Sequence, residues 1–521
     1  MLNQNPNNIS YGYYNIPQSH AARALQTKPL RSFRKYDAIA AVFCLLLGFL
    51  FTHYVLFRPN GYATSAYYLL LLLSEAFYLR KSGYQIKPGQ VIQGAVICLF
   101  ALSFSLTESP KLHKLSFLFL TAALAWWIFS VTHGHSFVTR YFGFHLPAAM
   151  LTHPIEELGA APQAIANSIR EPKRAAITKT ICIGLAASLP LTILVGFLLS
   201  SADANIGNIF YRITGSLSVY LREYLFQFAL GIPVGFWLFG SWYAASHPQK
   251  HALQSDAVCI QNLKALELFP RTGILTAITP ICILYLLYLG LQANYIYSAF
   301  VGQLPQSMTY SAYARRGFFE LCAISVINLA VILVLTVCSK KEPGKRHAAL
   351  KGYSIFLCLC TLFMLASAFA KMAMYINAYG LTQKRLYATW FMVLLAVIFV
   401  LILLRQFMQF STAPIIVTVS TILLAALFLI RPDALIAEYN LTRWEQGTLK
   451  SSDLNSLLVL SDDSYVVILQ HREQIDEWEW ETIEGSIRMR VQHLQDVPED
   501  SWNLSSQRLI ALYEEQCNAK E

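Results

Sequence analysis

Charged residues are scarce in this chain of 521 residues. They make up 13% of the sequence, whereas soluble globular proteins average about 25%. Hydrophobic residues make up 55%. This balance excludes an ordinary soluble domain organisation and favours a chain that lies largely in lipid.

Cysteine pairs and catalytic motifs are also missing. None of the 10 Cys forms a C-x-x-C pair and most lie inside apolar stretches, which argues against a disulfide framework and a structural zinc site. The chain has no G-x-x-x-x-G-K-[ST], H-E-x-x-H or G-x-S-x-G motif, so no built-in ATPase, metalloprotease or serine hydrolase is indicated. We therefore predict no catalytic residues, no metal site and no cofactor, and we expect that the protein is not an enzyme.

Long apolar stretches dominate the sequence instead. A helix needs about 20 apolar residues to cross a hydrocarbon core of about 30 Å. The weakest candidates are 62–80, which contains Glu75, and 219–243, which contains Pro233. We predict an all-α polytopic membrane bundle of about eleven helices. The candidate spans are 37–57, 62–80, 90–107, 112–132, 179–199, 219–243, 272–298, 315–338, 351–377, 384–405 and 412–430.

Three regions follow from this pattern. Residues 1–36 form a polar, basic arm, residues 37–430 form the transmembrane domain, and residues 431–521 form a small soluble domain of short helices. Within the transmembrane domain, the segment 143–170 is broken by prolines and is expected to lie at the cytoplasmic interface. Four tryptophans are expected to pack the core of the tail or to form a binding surface: Trp444, Trp478, Trp480 and Trp502.

The charge changes sign between the membrane part and the tail. Residues 1–430 hold 32 basic and 12 acidic residues, and residues 431–521 hold 8 and 18. The basic residues lie in short loops, where they mark the cytoplasmic side of a membrane and do not indicate nucleic-acid binding. With the N-terminus inside, the loops richest in Lys and Arg all fall inside, and an odd number of spans places the tail outside. One miscounted helix would move the tail to the cytoplasm.

Several ionisable residues fall near the outer ends of the spans. Arg315 and Arg316 run against the positive-inside bias, and cations at a helix N-terminus oppose the macrodipole. Because intramembrane charges tend to face a bundle interior or a wet cavity and to pair, we predict a polar outer pocket with an inter-helix pair between Glu320 and Lys371. The alternative is a local Arg316–Glu320 pair at the lipid interface. The predicted cluster consists of Asp203, Arg222, Glu223, Arg315, Arg316, Glu320, Lys371 and Arg385.

Four stretches of the chain carry a family resemblance: TYSAYARRGFFEL, KMAMYINAYGLTQKRLY, SSADANIGNIF, and RPDALIAEYNL followed by SDLNSLLVLSDDS. In these stretches the chain resembles a family of bacterial multi-pass membrane proteins of unknown function, and Y-A-R-R-G-F-F-E-L is the most specific motif. The resemblance covers roughly residues 180–465. It implies a protein of the bacterial cytoplasmic (inner) membrane and brings no settled activity.

Three further features allow two interpretations each. Gly231 and Gly235 form a G-x-x-x-G motif that predicts close helix packing, or, with the proline between them, a broken helix along a transport path. Glu75 is either an interfacial carboxylate or a proton-coupling site. Asp462 and Asp463 form either a solvated helix cap or a cation site.

Two functions fit these observations. The first is a non-enzymatic scaffold or sensor of the cell envelope, whose acidic extracytoplasmic tail engages an envelope protein partner. The second is a secondary transporter or lipid-handling carrier that uses the outer charged pocket. Either protein has the lipid bilayer as its surroundings.

Overall fold

The computed structural model describes residues 31–168, 219–247, 256–291, 293–302, 318–340, 348–449 and 454–518, with the isolated positions 188, 192, 195, 199 and 309. Within these residues the structure is almost entirely helical. No β-strand occurs there, and one isolated bridge joins Phe269 to Ser339. The all-α architecture predicted from the sequence is confirmed.

The first group of helices contributes one large apolar core. This core draws its buried side chains from α1 to α4, α7 and α8. The group consists of α1 (Asp37–Phe51, prolonged by a π-helical segment Thr52–Phe57), α2 (Tyr62–Lys81), α3 (Pro88–Leu106), α4 (Pro110–Thr132), α5 (Phe142–Pro147), a π-helical turn Ala148–Thr152, α6 (His153–Glu156), α7 (Ala160–Ser168) and α8 (Val219–Ser246).

A second group forms a separate core from α10, α12, α13 and α14. The helix α15 contacts both groups, because Phe428 packs on the first core and the Leu423 carbonyl accepts a hydrogen bond from Trp390 of α14 (3.0 Å). The group consists of α9 (Asp256–Ala265), α10 (Arg271–Leu291), α11 (Ala293–Val301), α12 (Phe318–Val337), α13 (Ala348–Tyr379), α14 (Gln383–Arg405) and α15 (Thr412–Leu429).

The C-terminal helices form the third apolar core. Trp480 is buried in it and Trp444 packs against it, whereas Trp478 is 71% exposed, so the core-packing alternative holds for the first two tryptophans and not for Trp478. Leu381, from the turn between α13 and α14, also enters this core. The helices are α16 (Pro432–Glu445), α17 (Leu454–Leu457), α18 (Asp462–Gln470), α19 (Glu477–Asp496) and α20 (Leu504–Asn518), with 3-10 turns at Arg472–Gln474 and Glu499–Ser501.

Eight of the described helices are long and apolar enough to cross a membrane. The predicted count of eleven is not confirmed: α2 is helical but less apolar, the apolar part of α12 is the shorter Leu321–Val337, and 179–199 lies outside the described residues. The eight spans are Asp37–Phe57, Pro88–Leu106, Pro110–Thr132, Leu221–Ser246, Arg271–Leu291, Ala348–Tyr379, Gln383–Arg405 and Thr412–Leu429.

Glycines bring α1 and α8 into direct backbone contact. A Cβ atom on Gly231 would lie 2.7 Å from the carbonyl carbon of Gly48, and one on Gly235 would lie 2.7 Å from the Cys44 oxygen. Only residues without a side chain permit this approach. The packing interpretation of the G-x-x-x-G motif is confirmed.

The proline-rich segment belongs partly to the core. In α7, Ala160, Ala161 and Ala164 are buried among the residues of α1 and α8. Small side chains let this short helix pack into the bundle. The sequence had predicted only a position at the membrane interface for this segment.

The bundle has two distinguishable ends. At the arm end, the Tyr243 hydroxyl donates to the Ser32 carbonyl (3.0 Å) and Arg31 pairs with Glu157 (2.6 Å). At the tail end lie the turns between α1 and α2, between α3 and α4, and between α13 and α14, and the C-terminal helices pack on these turns. A span of 21 residues separates the ends by about 30 Å.

Candidate functional site at the tail end

The turn between α3 and α4 offers polar groups to the C-terminal helices. It contains Thr107 to Ser109, and Pro110 opens α4, where its fixed φ suits the first helical position. The His113 ring nitrogen Nε2 lies 2.7 Å from the Thr107 carbonyl oxygen, which ties the turn to the first coil of α4. Thr107 and Ser109 are both buried. The position of this turn is therefore fixed where the C-terminal helices contact it.

Two buried carboxylates at the start of α18 meet this turn. Asp463 is 1% exposed and accepts hydrogen bonds from the Thr107 hydroxyl (2.6 Å), from Ser505 and from the Arg431 guanidinium. Asp462 is fully buried. Acidic residues in the first turn of a helix also complement its macrodipole. The alternative of a solvated cap, weighed from the sequence, is wrong because partners distant in the chain cover both carboxylates.

A single guanidinium joins the two sides of the junction. Arg490 of α19 donates from Nε to Asp462 (2.7 Å) and from a terminal nitrogen to Glu108 of the α3–α4 turn. The Ser506 hydroxyl donates to the second Asp462 oxygen (2.7 Å). We call the set Glu108, Arg431, Asp462, Asp463 and Arg490 the clamp.

One residue of the clamp, Glu108, has a pKa near neutral pH. Burial and the neighbouring charge of Asp462 raise the pKa of Glu108 to about 7, against the opposing effect of the Arg490 guanidinium. Two carboxylates share this guanidinium, so the second negative charge is less favourable than the first. The junction therefore carries a protonation equilibrium in the physiological range.

The turn between α1 and α2 makes a second contact with the C-terminal helices. Arg58 pairs with Asp500 (2.8 Å), and the Tyr62 amide donates to the Trp502 carbonyl (2.9 Å). A Cβ atom on Gly61 would lie 2.3 Å from the Ser501 oxygen, so a residue without a side chain is required for this approach.

The turn between α13 and α14 makes the third contact. Gly380 has φ +74°, a conformation that suits glycine, and a Cβ atom there would also meet the Asn440 side chain at 2.4 Å. The Asn440 side chain accepts from the Leu381 amide (2.7 Å) and donates to its carbonyl (2.8 Å). The C-terminal helices thus rest on both helix groups.

A cavity of about 620 Å³ lies between the end of the first helix group and the C-terminal helices. Its walls are apolar at Val55, Phe104 and Leu118, and Lys114 and His493 add polar groups. Glu108 and Arg490 of the clamp also line it. We call it the junction cavity.

The residues of the predicted outer cluster occupy several parts of the chain. Asp203, Arg315 and Arg316 lie outside the described residues, and Glu320 lies in α12 with its side chain outside the described part. The predicted Glu320–Lys371 pair therefore stays a prediction.

Two members of that cluster lie in the first helix group. Arg222 and Glu223 are in the first turns of α8, where Glu223 accepts from Gln227 (3.0 Å) and Gln227 in turn contacts the His53 ring (2.7 Å).

The other members lie in the second helix group. Lys371 is buried in α13. Arg385 donates to the Gly380 carbonyl (2.5 Å) and stacks over the Tyr375 ring at 3.9 Å. The structure thus places these residues in a different helix group from Arg222 and Glu223.

The clamp residues were not predicted as a site. Asp462 and Asp463 carried the one visible sign, a pair of acids at a helix start. Thr107 and Glu108 gave none, because their partners follow more than 300 residues later in the chain.

These features define a helical multi-pass membrane protein. A family model described as "Domain of unknown function (DUF4153)" matches residues 94–471, and the chain belongs to this family. The match includes the α3–α4 turn and both buried carboxylates, but ends before Arg490. No curated protein and no solved structure matches the chain.

Proposed function

We propose that this protein is a non-enzymatic membrane sensor in which the C-terminal helices report conditions at the tail end to the bundle through the clamp. One observation carries the proposal: Glu108, with a pKa near 7, shares Arg490 with the buried Asp462 across the junction. A small change of pH or of bound ligand in the junction cavity would shift the balance of charges that holds the two parts together.

The proposed setting is the cytoplasmic (inner) membrane of a bacterium, with a cytoplasmic arm and an extracytoplasmic tail. The excess of basic residues in loops assigned to the arm side supports this orientation. The acidic composition of residues 431–521 supports an envelope protein as a partner of the tail.

The pH dependence of docking tests the sensor. Since the pKa of Glu108 is raised at the junction, the docked state holds its proton more tightly than the undocked state. The contribution of Glu108 to docking is therefore fully present below about pH 4.5, the ordinary value for glutamate, and is lost as the pH rises through about 7. The other ionisable groups that face this site are Lys114, His113, Asp462, Arg490 and His493.

The experiment measures amide hydrogen exchange of α18 and α20 in lipid nanodiscs, corrected for intrinsic rates, at pH values about 1.5 units below and above the pKa of Glu108. We expect severalfold faster exchange at the higher pH, and no such difference in Glu108→Gln. Glu499→Gln, on the exposed turn before α20, is the matched control. Equal exchange at both pH values, or an unchanged difference in Glu108→Gln, would contradict the proposal.

The junction cavity favours a second function, that of a lipid-handling carrier. Its apolar walls suit an acyl chain, and Lys114 and His493 lie where they would meet a polar headgroup. Photocrosslinking from position 494, a buried wall residue in the C-terminal helices, tests this: a carrier would capture lipid there, and crosslinks to protein alone would exclude it.

A further inference from the structure

Glu75 is a buried carboxyl group inside the first helix group. It is 2% exposed, and its oxygen Oε2 has no hydrogen-bond partner. The other oxygen accepts one long hydrogen bond from the Trp242 indole (3.4 Å). In the described part of the chain, Trp242 is its one hydrogen-bond partner, and its electrostatic neighbours are Cys44 and Tyr67. Glu75 is therefore enclosed by the helix group and is not a carboxylate on its surface.

This carboxyl group faces a cavity of about 360 Å³ between α1, α2, α4 and α8. Trp237 forms one side. Three further rings of the lining contact one another, because the Phe51 ring lies 5.9 Å from the Tyr67 ring and 6.1 Å from the Phe117 ring. Tyr68 also lines the cavity, and its hydroxyl has no partner either. We call this space the aromatic cavity.

A positively charged ligand suits both Glu75 and the aromatic rings of this cavity. An isolated buried carboxyl group takes up a proton and is neutral, unless a bound cation stabilises its ionised form. The negative faces of aromatic rings attract cations, and recognition of ammonium groups by aromatic cages uses this attraction. A cation gains from both the ionised carboxylate and the rings, whereas a neutral ligand gains from neither charge interaction and an anion would be repelled. The chemistry of the walls therefore selects an organic cation with apolar substituents.

We propose that the aromatic cavity binds a small, apolar organic cation of the ammonium type, with Glu75 as its counter-ion. Phe117 lines both this cavity and the junction cavity, so the two cavities are neighbours. Glu75 lies outside residues 94–471, whereas Phe117 and Trp237 lie inside them, so the family match covers only part of the site. The proposal does not depend on the pH response of the clamp.

The test uses full-length protein in nanodiscs and tritiated benzyltrimethylammonium as the probe. We expect saturable binding to the unmodified chain, with affinity reduced about 30-fold or more in Glu75→Gln, because a buried charge loses its partner. Glu514→Gln, an exposed carboxylate of α20, is the matched control and should bind normally. Phe51→Leu keeps the cavity apolar and should weaken binding about threefold, which guards against a folding defect of Glu75→Gln.

Competition with neopentylbenzene, the neutral isostere of the probe, separates charge from shape. It should displace the cation poorly from the unmodified chain. Absence of saturable binding, equal affinity in Glu75→Gln, or equal competition by the neutral isostere would each overturn the proposal, the last by showing an apolar pocket for acyl chains.

Discussion

Asp463 holds more partners than any other residue of the clamp. Thr107 from the bundle, Arg431 from the start of the tail, and Ser505 from α20 all donate to its carboxylate. Arg431 adopts φ +50°, a left-handed conformation that is unfavourable outside glycine. A strained backbone at this position is maintained because the ion pair fixes the side chain.

Substitution Asp463→Asn should release the C-terminal helices. Breaking a buried ion pair costs 3–5 kcal/mol, and we expect about 3 kcal/mol because the Arg431 side chain is 31% exposed. That corresponds to a roughly 100-fold rise in cleavage of residues 431–521 by thermolysin in nanodiscs, where cleavage follows the open population. Asp496→Asn, on the exposed face of α19, should change cleavage by less than about threefold. Equal effects of the two changes would contradict the role of the clamp.

At the scale of single residues, the sequence showed which acidic residues are unusual but not which side chains they contact. Glu75, Asp462 and Asp463 were each recognised as unusual, but in each case a water-exposed alternative was open. Burial was decided by side chains far along the chain, such as Trp242 for Glu75 and Arg490 for Asp462.

At the scale of helices, the contact between α1 and α8 depends on backbone approach. Gly231→Ala adds a methyl group 2.7 Å from backbone atoms of Gly48 and Phe49, which cannot rotate away. We expect a loss of about 1–3 kcal/mol from overpacking, measured as a lower temperature of loss of monodispersity in detergent. Gly290→Ala in α10 meets no atom within 4 Å and should be neutral or slightly stabilising, since alanine favours helix. A larger effect of Gly290→Ala would contradict this account.

Hydropathy predicted most of these helices well, because an apolar run is a local property. It did not predict that the alanines of α7 pack in the core. It also made α2 one of the weakest candidate spans. The helix α2 carries polar residues, yet Thr64, Ser65 and Glu75 are buried. Other helices supply their surroundings, which a window along the chain does not contain.

At the scale of the whole molecule, residues 31–36 of the arm and the C-terminal helices lie at opposite ends of the bundle. We therefore expect reporters fused before Met1 and after Glu521 to lie on opposite sides of the membrane, the first active in the cytoplasm and the second outside it. Paired phosphatase and fluorescent-protein fusions at each terminus measure this. Cytoplasmic activity of both reporters would refute the proposed orientation.

The sequence by itself determined that this protein is an all-α, multi-pass membrane protein, because apolar helices of sufficient length satisfy their own backbone hydrogen bonds in lipid. It also determined the G-x-x-x-G contact surface and the helical character of the tail. The tertiary structure alone decided which charges meet. Thr107, Glu108, Arg431, Asp462 and Arg490 converge at the tail end because folding brings distant helix ends together, and pairing between buried charges depends on distance in space and not on spacing in the chain.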